Sequence, residues 1–256
     1  MAAAPNLPTP GPVSAPEPVP LSEGARIVDT FIAPSKTFAD LRRSASWWVP
    51  FLLLSLVSLG FFYVVGQKIG YRKVVENQIQ SSPKAAHQME QLAPDQRSQA
   101  ISRQVTGTTY FLYGYPGVIL LWNLIIAALL FGSFKFAAGA ELKFKTSYAI
   151  VMYASLPLLL KTILATISVA AGADPDSFNL QNPAATNPGY FLSAGNNPFL
   201  YSVGTALDIF MIWTLIVTAI GFSAVSKVKR SNALAIVFGW YFVFTIGAAG
   251  LAALFS

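Results

Sequence analysis

Long apolar stretches separated by polar segments dominate the hydropathy pattern of this chain. Five of them are each long enough to cross a bilayer, which takes about 20 residues of helix. They cover residues 47–65, 110–136, 147–171, 199–224 and 233–255. They lack the alternating pattern of barrel strands, and unpaired backbone groups are not tolerated in hydrocarbon. The pattern therefore predicts an all-α, polytopic membrane protein with five transmembrane helices.

The N-terminal part of the chain reads differently from the rest. Residues 1–20 contain seven prolines and no apolar core of a signal peptide, which predicts a disordered, Pro-rich tail. Residues 21–46 form a polar and amphipathic segment, and 47–256 form the five-span membrane domain. The sequence thus predicts a tail, an interfacial segment and one membrane domain.

The segment 21–46 carries an amphipathic pattern. Ile27, Val28 and Phe31 fall on one helical face, and Pro34 interrupts the pattern. This spacing predicts short amphipathic helices in the cytoplasmic membrane interface, with basic residues at the head groups and tryptophans at the boundary. The candidate interfacial contacts are Phe31, Phe38, Arg42, Arg43, Trp47 and Trp48. A plain stop-transfer flank without a bound partner is the alternative interpretation.

The first loop also has helical character. Pro83 and Pro94 divide it, and the stretches between them are rich in good helix formers. Pro94 with Asp95 suits a helix start, because proline tolerates the first helical position and an acidic side chain favours the first turn. Short amphipathic helices are therefore expected in this loop as well.

Charge distribution predicts the orientation of the chain. Of all residues, 54% are hydrophobic and 11% charged, whereas soluble domains carry about 25% charged residues. With the N-terminus inside, ten Lys and Arg residues fall on the cytoplasmic side and six on the other. The positive-inside rule then predicts a cytoplasmic N-terminus and an outside C-terminus.

The net charge of the chain is +6. Because the basic residues flank the spans rather than form a basic face, this charge does not indicate a nucleic-acid partner.

Three polar residues within the apolar stretches form a candidate site. Lys161, Asp208 and Asn123 lie in the third, fourth and second stretch at similar expected depths. A charged group near the bilayer centre costs about 2.5–3.5 kcal/mol on insertion scales, and that cost falls when opposite charges meet. We therefore predict a Lys161–Asp208 contact, joined by Asn123. It is either a latch that fixes helix registry or a polar site for a proton, an ion or a lipid head group.

Small residues suggest where helices approach closely. They cluster in "AIGFSA" (Ala219–Ala224) and in "TIGAAGLAA" (Thr245–Ala253), on the fourth and fifth spans. In lipid, small residues let helix backbones pack tightly. Both clusters are expected at helix interfaces, although small residues are common in all membrane helices.

The residue types needed for catalysis or metal binding are scarce. The sequence has no cysteine and one histidine, His87, which lies in the first loop. Serine–histidine chemistry and strong transition-metal sites are therefore not expected. We expect no enzymatic activity, no cofactor and no metal.

The order of segments resembles a known family. The residues that carry the resemblance read "FIAPSKTFADLRRSASWWVPFLLL", "GAELKFKTSYAIVMYASLPLLLKTIL" and "LDIFMIWTLIVTAIGFSAVSKVKRSNA". Together they resemble the Yip-domain (Ypt-interacting protein) family, most closely its bacterial branch, and "YASLP" at Tyr153–Pro157 resembles the family's third-span element. The resemblance implies five membrane helices, a cytosolic N-terminus and location in a bacterial inner membrane. In eukaryotic relatives it also implies vesicle traffic through small GTPases.

Two classes of function stay open at this point. The first is a non-enzymatic membrane protein that organises the membrane or partner proteins, with the lipid bilayer and a membrane or cytoplasmic protein as partners. The alternative is a small transporter, channel or lipid-handling protein, based on the polar residues within the spans. The sequence does not identify a ligand, a protein partner or the oligomeric state.

Overall fold

The computed structural model describes residues 19–255, and within that range it is helical without strands. The expected Pro-rich tail lies, except for its last two residues, outside the described residues. Five helical segments of the described chain are long and apolar enough to cross a membrane. The all-α, polytopic membrane fold with short helices in the N-terminal segment and the first loop is confirmed.

The described part of the chain begins with a helical hairpin. Helix α1 spans Glu23–Ile32, and Ser22 caps it by accepting a hydrogen bond from the Ala25 N–H. Helix α2 spans Pro34–Leu41 and starts with proline, whose missing N–H costs nothing at the first helical position. The turn at Ala33 folds the two helices against each other.

Further helices follow in the order that the hydropathy pattern indicated. The bounds are α3 Trp48–Lys68, α4 Tyr71–Gln80, α5 Pro83–Glu90, α6 Pro94–Tyr113, α7 Tyr115–Gly132, α8 Phe144–Ala154, α9 Leu156–Ala170, α10 Pro198–Ala206, α11 Ile209–Ser226 and α12 Arg230–Phe255. A π-helical turn, Ser133–Ala137, extends α7, and α8 with α9 forms one long apolar segment, Phe144–Ala170.

Two predicted spans begin five or more residues later in the structure than expected. The fourth was expected over 199–224, but the helix is interrupted and the apolar helix α11 begins at Ile209. The carboxylate of Asp208 accepts hydrogen bonds from the first backbone N–H groups of α11, so it starts a helix rather than continuing one. The second span begins at Tyr115, followed by Pro116, whereas 110 was expected. Residues before Gly114 belong to α6, which extends from the first loop.

The two ends of the helical bundle are closed by different segments. At one end, the Asn77 amide of α4 donates to the carbonyls of Pro175 and Phe178, in the loop between α9 and α10. Lys73 and Asp176 form an ion pair between the same two segments. At the other end, Phe38 of the hairpin is fully buried in the main core, which also contains the stacked Phe134–Phe222 pair. The hairpin therefore lies at the end of the bundle opposite α4 and the loop between α9 and α10.

The glycines of the two small-residue clusters differ in how closely their neighbours approach. A Cβ atom at Gly221 would lie 2.6 Å from Ile150 Cγ2 and 3.0 Å from Phe38 Cδ1. Gly247 and Gly250 have nothing within 4 Å of such an atom. The expectation of a close approach in the fifth span is therefore wrong at these two glycines, whereas Ala249 of the same cluster is fully buried.

Gly221→Ala is expected to lower the free energy of unfolding by about 1–3 kcal/mol, because the added methyl group overpacks the hairpin contact. The matched variant Gly247→Ala is expected to be neutral or stabilising, since alanine favours helix by about 1 kcal/mol over glycine. Thermal unfolding of both purified variants in the same detergent measures the difference. Equal melting profiles would contradict the close approach at Gly221.

Candidate functional site

Asp208 lies at the joint between α10 and α11 and is almost fully buried, with its side chain 3% exposed. Its Oδ1 accepts hydrogen bonds from the backbone N–H groups of Phe210 and Met211, at 2.9 and 3.2 Å. Its Oδ2 lies 2.8 Å from Nζ of Lys161, in the middle of α9. The ion pair therefore links α9 to the first turn of α11.

The loop between α9 and α10 covers this carboxylate. The Thr186 hydroxyl donates to Asp208 Oδ2, and the Asn187 amide approaches the same oxygen at 3.4 Å. The Thr186 carbonyl accepts a hydrogen bond of 3.1 Å from the Ile209 N–H. Asn187 is held in turn by reciprocal amide hydrogen bonds with Asn182. Side chains of the loop between α9 and α10 thus complete the hydrogen bonding of the Asp208 carboxylate.

The structure brings together two of the three residues expected at this site. Asn123 is buried elsewhere: its amide donates to the Ile119 carbonyl at 2.8 Å, and its Oδ1 accepts from the Ser155 hydroxyl at 3.0 Å. It therefore supports the joint between α8 and α9 instead of joining the ion pair. The position of Asp208 also differs from expectation. It was expected inside the fourth span, nine residues after residue 199, but it directly precedes the apolar helix α11.

The hydrogen-bonding capacity of the carboxylate is largely used within the protein. Oδ1 receives two backbone donors, and Oδ2 receives an ammonium, a hydroxyl and an amide. No group of three or more His, Cys, Asp or Glu residues suited to a metal ion occurs in the part of the chain that the structure describes. Chemically, the arrangement is suited to fastening α9, α11 and the covering loop together.

A second charged cluster holds the N-terminal hairpin. Arg26 is 3% exposed, and its Nη2 lies 2.6 Å from Oδ2 of Asp40. Its Nη1 lies 3.1 Å from Oε1 of Glu23, while Oε2 of Glu23 accepts a 2.6 Å hydrogen bond from the Tyr153 hydroxyl. The cluster therefore joins α1 to α2 and also ties α1 to α8.

Hydroxyl groups and a second arginine complete this cluster. The hydroxyls of Thr30 and Thr37 both donate to the Arg26 carbonyl, at 2.7 and 2.9 Å. Arg43 Nη2 lies 2.8 Å from Oδ1 of Asp40. Burial opposes ionisation of Asp40, but the hydrogen bonds from Arg43 and Arg26 outweigh it, so the pKa of this carboxyl lies below its ordinary value.

The residues expected at the membrane interface divide into two groups. Phe38 is fully buried in the protein, and Phe31 makes an edge-to-face contact with Trp213 of α11 at 5.8 Å between ring centroids. Trp47 is half-buried and contacts Tyr148 at 5.2 Å. These three aromatic side chains pack on the bundle, whereas interfacial contacts were expected. Trp48, Arg42 and Arg43 are exposed on its surface.

The hairpin cluster was not anticipated from the sequence, where Arg26 counted only as a topology signal. Its signal is the turn at Ala33: Arg26 and Asp40 lie at equal distances along the chain from it, so a helical hairpin places them side by side. Thr186 and Asn187 had no comparable signal, because their loop lacks periodicity.

Comparison with known proteins supplies the family. A family model described as the Yip1 domain matches residues 28–252, from the middle of α1 to the last turns of α12. No curated protein and no solved structure matches the chain. The matched region includes the five apolar segments, most of the hairpin and both charged clusters except Glu23 and Arg26. The chain belongs to the Yip1-domain family of multi-pass integral membrane proteins.

Proposed function

We propose that this protein is a non-enzymatic membrane protein that organises partner proteins at the bilayer, with the N-terminal hairpin as its docking surface. The observation that carries the proposal is the fixed position of the hairpin. The buried Arg26 cluster and the buried Phe38 attach it to α8 and α11. A rigid surface binds a partner without the entropy cost of ordering a loose segment.

The outer side of the hairpin has a composition suited to such contacts. Val28 is 55% exposed and Ile32 75% exposed, on the side of α1 away from the bundle. Lys36, Arg42 and Arg43 are exposed on the same hairpin. Exposed apolar side chains and cations on one hairpin favour a partner with an apolar, acidic surface held beside the membrane.

Photo-crosslinking in intact cells tests this proposal. A photoreactive amino acid at Val28 or Ile32 is expected to capture one reproducible protein. The matched position is Leu121 on α7, which is 59% exposed and is expected to capture only lipid. The docking role would be contradicted if the hairpin positions and Leu121 captured the same proteins. It would also be contradicted if no protein were cross-linked at the hairpin.

We further propose that the hairpin faces the cytoplasm of a bacterial cell and that the protein lies in the inner membrane. Support comes from the ten Lys and Arg residues expected on that side against six on the other. With five apolar segments among the described residues, a cytoplasmic hairpin would leave the C-terminus outside. An alkaline phosphatase fused after residue 256 is expected to be active, and green fluorescent protein fused there is expected to be dark. The reverse pair of results would contradict this orientation.

The Lys161–Asp208 pair is proposed as a structural latch rather than a site for a transported ion. Five protein donors saturate its carboxylate, which leaves little capacity for an exchangeable ligand.

A further inference from the structure

The end of the bundle opposite the hairpin contains two adjoining cavities of about 360 and 440 Å³. They lie between α4, α6 and the loop that follows α9. Both are lined by Gln78, Ser81, Thr108, Asn179 and Gln181, so the two cavities share these walls and are together called the cleft. Its size is within the usual range of small-ligand sites, about 300–1,000 Å³.

The lining of the cleft is uncharged and mixes polar with apolar side chains. It contains side-chain amides and hydroxyls, and among the described residues no Asp, Glu, Lys, Arg or His lines either cavity. The nearby Lys73 is already paired with Asp176. An anionic ligand would find no cation in the cleft to offset its desolvation, so the lining selects against phosphates and carboxylates.

One buried acceptor in the lining lacks a donor. The Asn77 amide nitrogen donates to two carbonyls, Pro175 and Phe178, at 2.7 and 2.9 Å, which fixes the orientation of the side chain. Its Oδ1 is buried and has no hydrogen-bond partner among the described residues. A buried acceptor without a donor costs about 1–3 kcal/mol. Asn77 therefore fixes the wall of the cleft by joining α4 to the loop after α9.

The cleft also lies at the level of the membrane surface. Phe111 and Leu112 of its wall belong to the last turn of α6, directly before the apolar helix α7. The neighbouring Tyr110 and Tyr113 are 77% and 51% exposed, as in the aromatic belts of membrane proteins. A ligand in the cleft could therefore keep an apolar portion in the bilayer.

From these observations we infer that the cleft binds a neutral, hydroxyl-rich group of the sugar or polyol class. Amide side chains both donate and accept, which matches hydroxyl groups that do the same. Such a group is carried either by a glycosyl lipid or by a free sugar. This site is independent of the hairpin surface and lies at the other end of the bundle.

Native mass spectrometry of the full chain in phosphatidylcholine nanodiscs tests the inference. The probes are monoglucosyl diacylglycerol, phosphatidic acid as an anionic lipid, and free maltose. The blocking variant is Gly107→Phe, because Gly107 lines the cleft and a Cβ atom there meets nothing within 4 Å. The control is Gly24→Phe on α1, where a Cβ atom also meets nothing within 4 Å.

The glucosyl lipid is expected to bind the wild type and Gly24→Phe, and to bind Gly107→Phe about ten-fold more weakly, the equivalent of ~1.4 kcal/mol. Thr108→Val, which removes one hydroxyl, is expected to weaken binding in the same direction. Competition by maltose would identify a soluble sugar as the source, and its failure would identify the lipid. Equal binding by wild type and Gly107→Phe, no binding by either, or preference for phosphatidic acid would overturn the inference.

Discussion

Asp208→Leu is expected to lower the free energy of unfolding by about 3–5 kcal/mol, because it leaves Lys161 charged and unpaired inside the bundle. The same change removes the cap of α11 and the partner of Thr186. Lys161→Met is expected to cost less, about 1–3 kcal/mol, since Asp208 keeps its backbone and hydroxyl donors. Reversible unfolding in mild detergent, compared across these variants, measures both losses.

The double variant separates a true ion pair from two independent effects. Lys161→Met with Asp208→Leu is expected to recover much of the single losses, because no charge is then left unpaired. A deficit of about 1 kcal/mol should persist from the lost cap. Strictly additive losses would contradict the pairing. A double variant that is as stable as the wild type, but that does not replace the wild type in cells lacking the protein, would contradict the latch and favour a functional polar site.

The second large effect is expected at Arg26. Arg26→Leu leaves Asp40 with one arginine, and removes the ion pair of Glu23. Because Arg26 is buried, the expected cost is again about 3–5 kcal/mol, but it is confined to the hairpin. Hydrogen exchange of α1 and α2 is expected to become faster while exchange in α9 and α11 stays unchanged.

A matched exposed arginine provides the control for this prediction. Arg42→Leu removes a side chain with the same charge from the same hairpin, outside the buried cluster. Surface substitutions of this kind change stability by less than about 0.5 kcal/mol. Equal acceleration of exchange in both variants would mean that net charge, rather than the buried cluster, holds the hairpin.

The sequence was sufficient for the spans and for one charged pair, and each case has a physical reason. Apolar length alone identifies a helix that must cross hydrocarbon. Lys161 and Asp208 could be paired because isolated charges in such stretches are costly, so an opposite charge at a similar expected depth is the natural partner.

The remaining features depend on tertiary contacts that leave little trace in the pattern. Thr186 reaches Asp208 from an irregular loop, and Asn123 instead reaches Ser155 across the α8–α9 joint. The sequence does not distinguish an aromatic residue that faces lipid from one that faces protein, so the burial of Phe38 could not be predicted. In the structure Phe38 packs closely against Gly221 within the main core.

The central claim is that the N-terminal hairpin is a fixed part of the five-helix bundle. The chain has no cysteine, so an introduced pair reports one distance without background. Ser35 Oγ lies 3.4 Å from Arg230 Nη2 at the start of α12, and these positions suit a short bismaleimide. The control pair is Ser35→Cys with Lys73→Cys, because Lys73 lies at the opposite end of the bundle.

In native membranes, Ser35→Cys with Arg230→Cys is expected to cross-link efficiently, and adding Arg26→Leu is expected to reduce the yield strongly. The control pair is expected to stay uncross-linked. A Ser35–Arg230 yield no higher than that of the control pair would contradict the docked hairpin and the docking surface proposed on it.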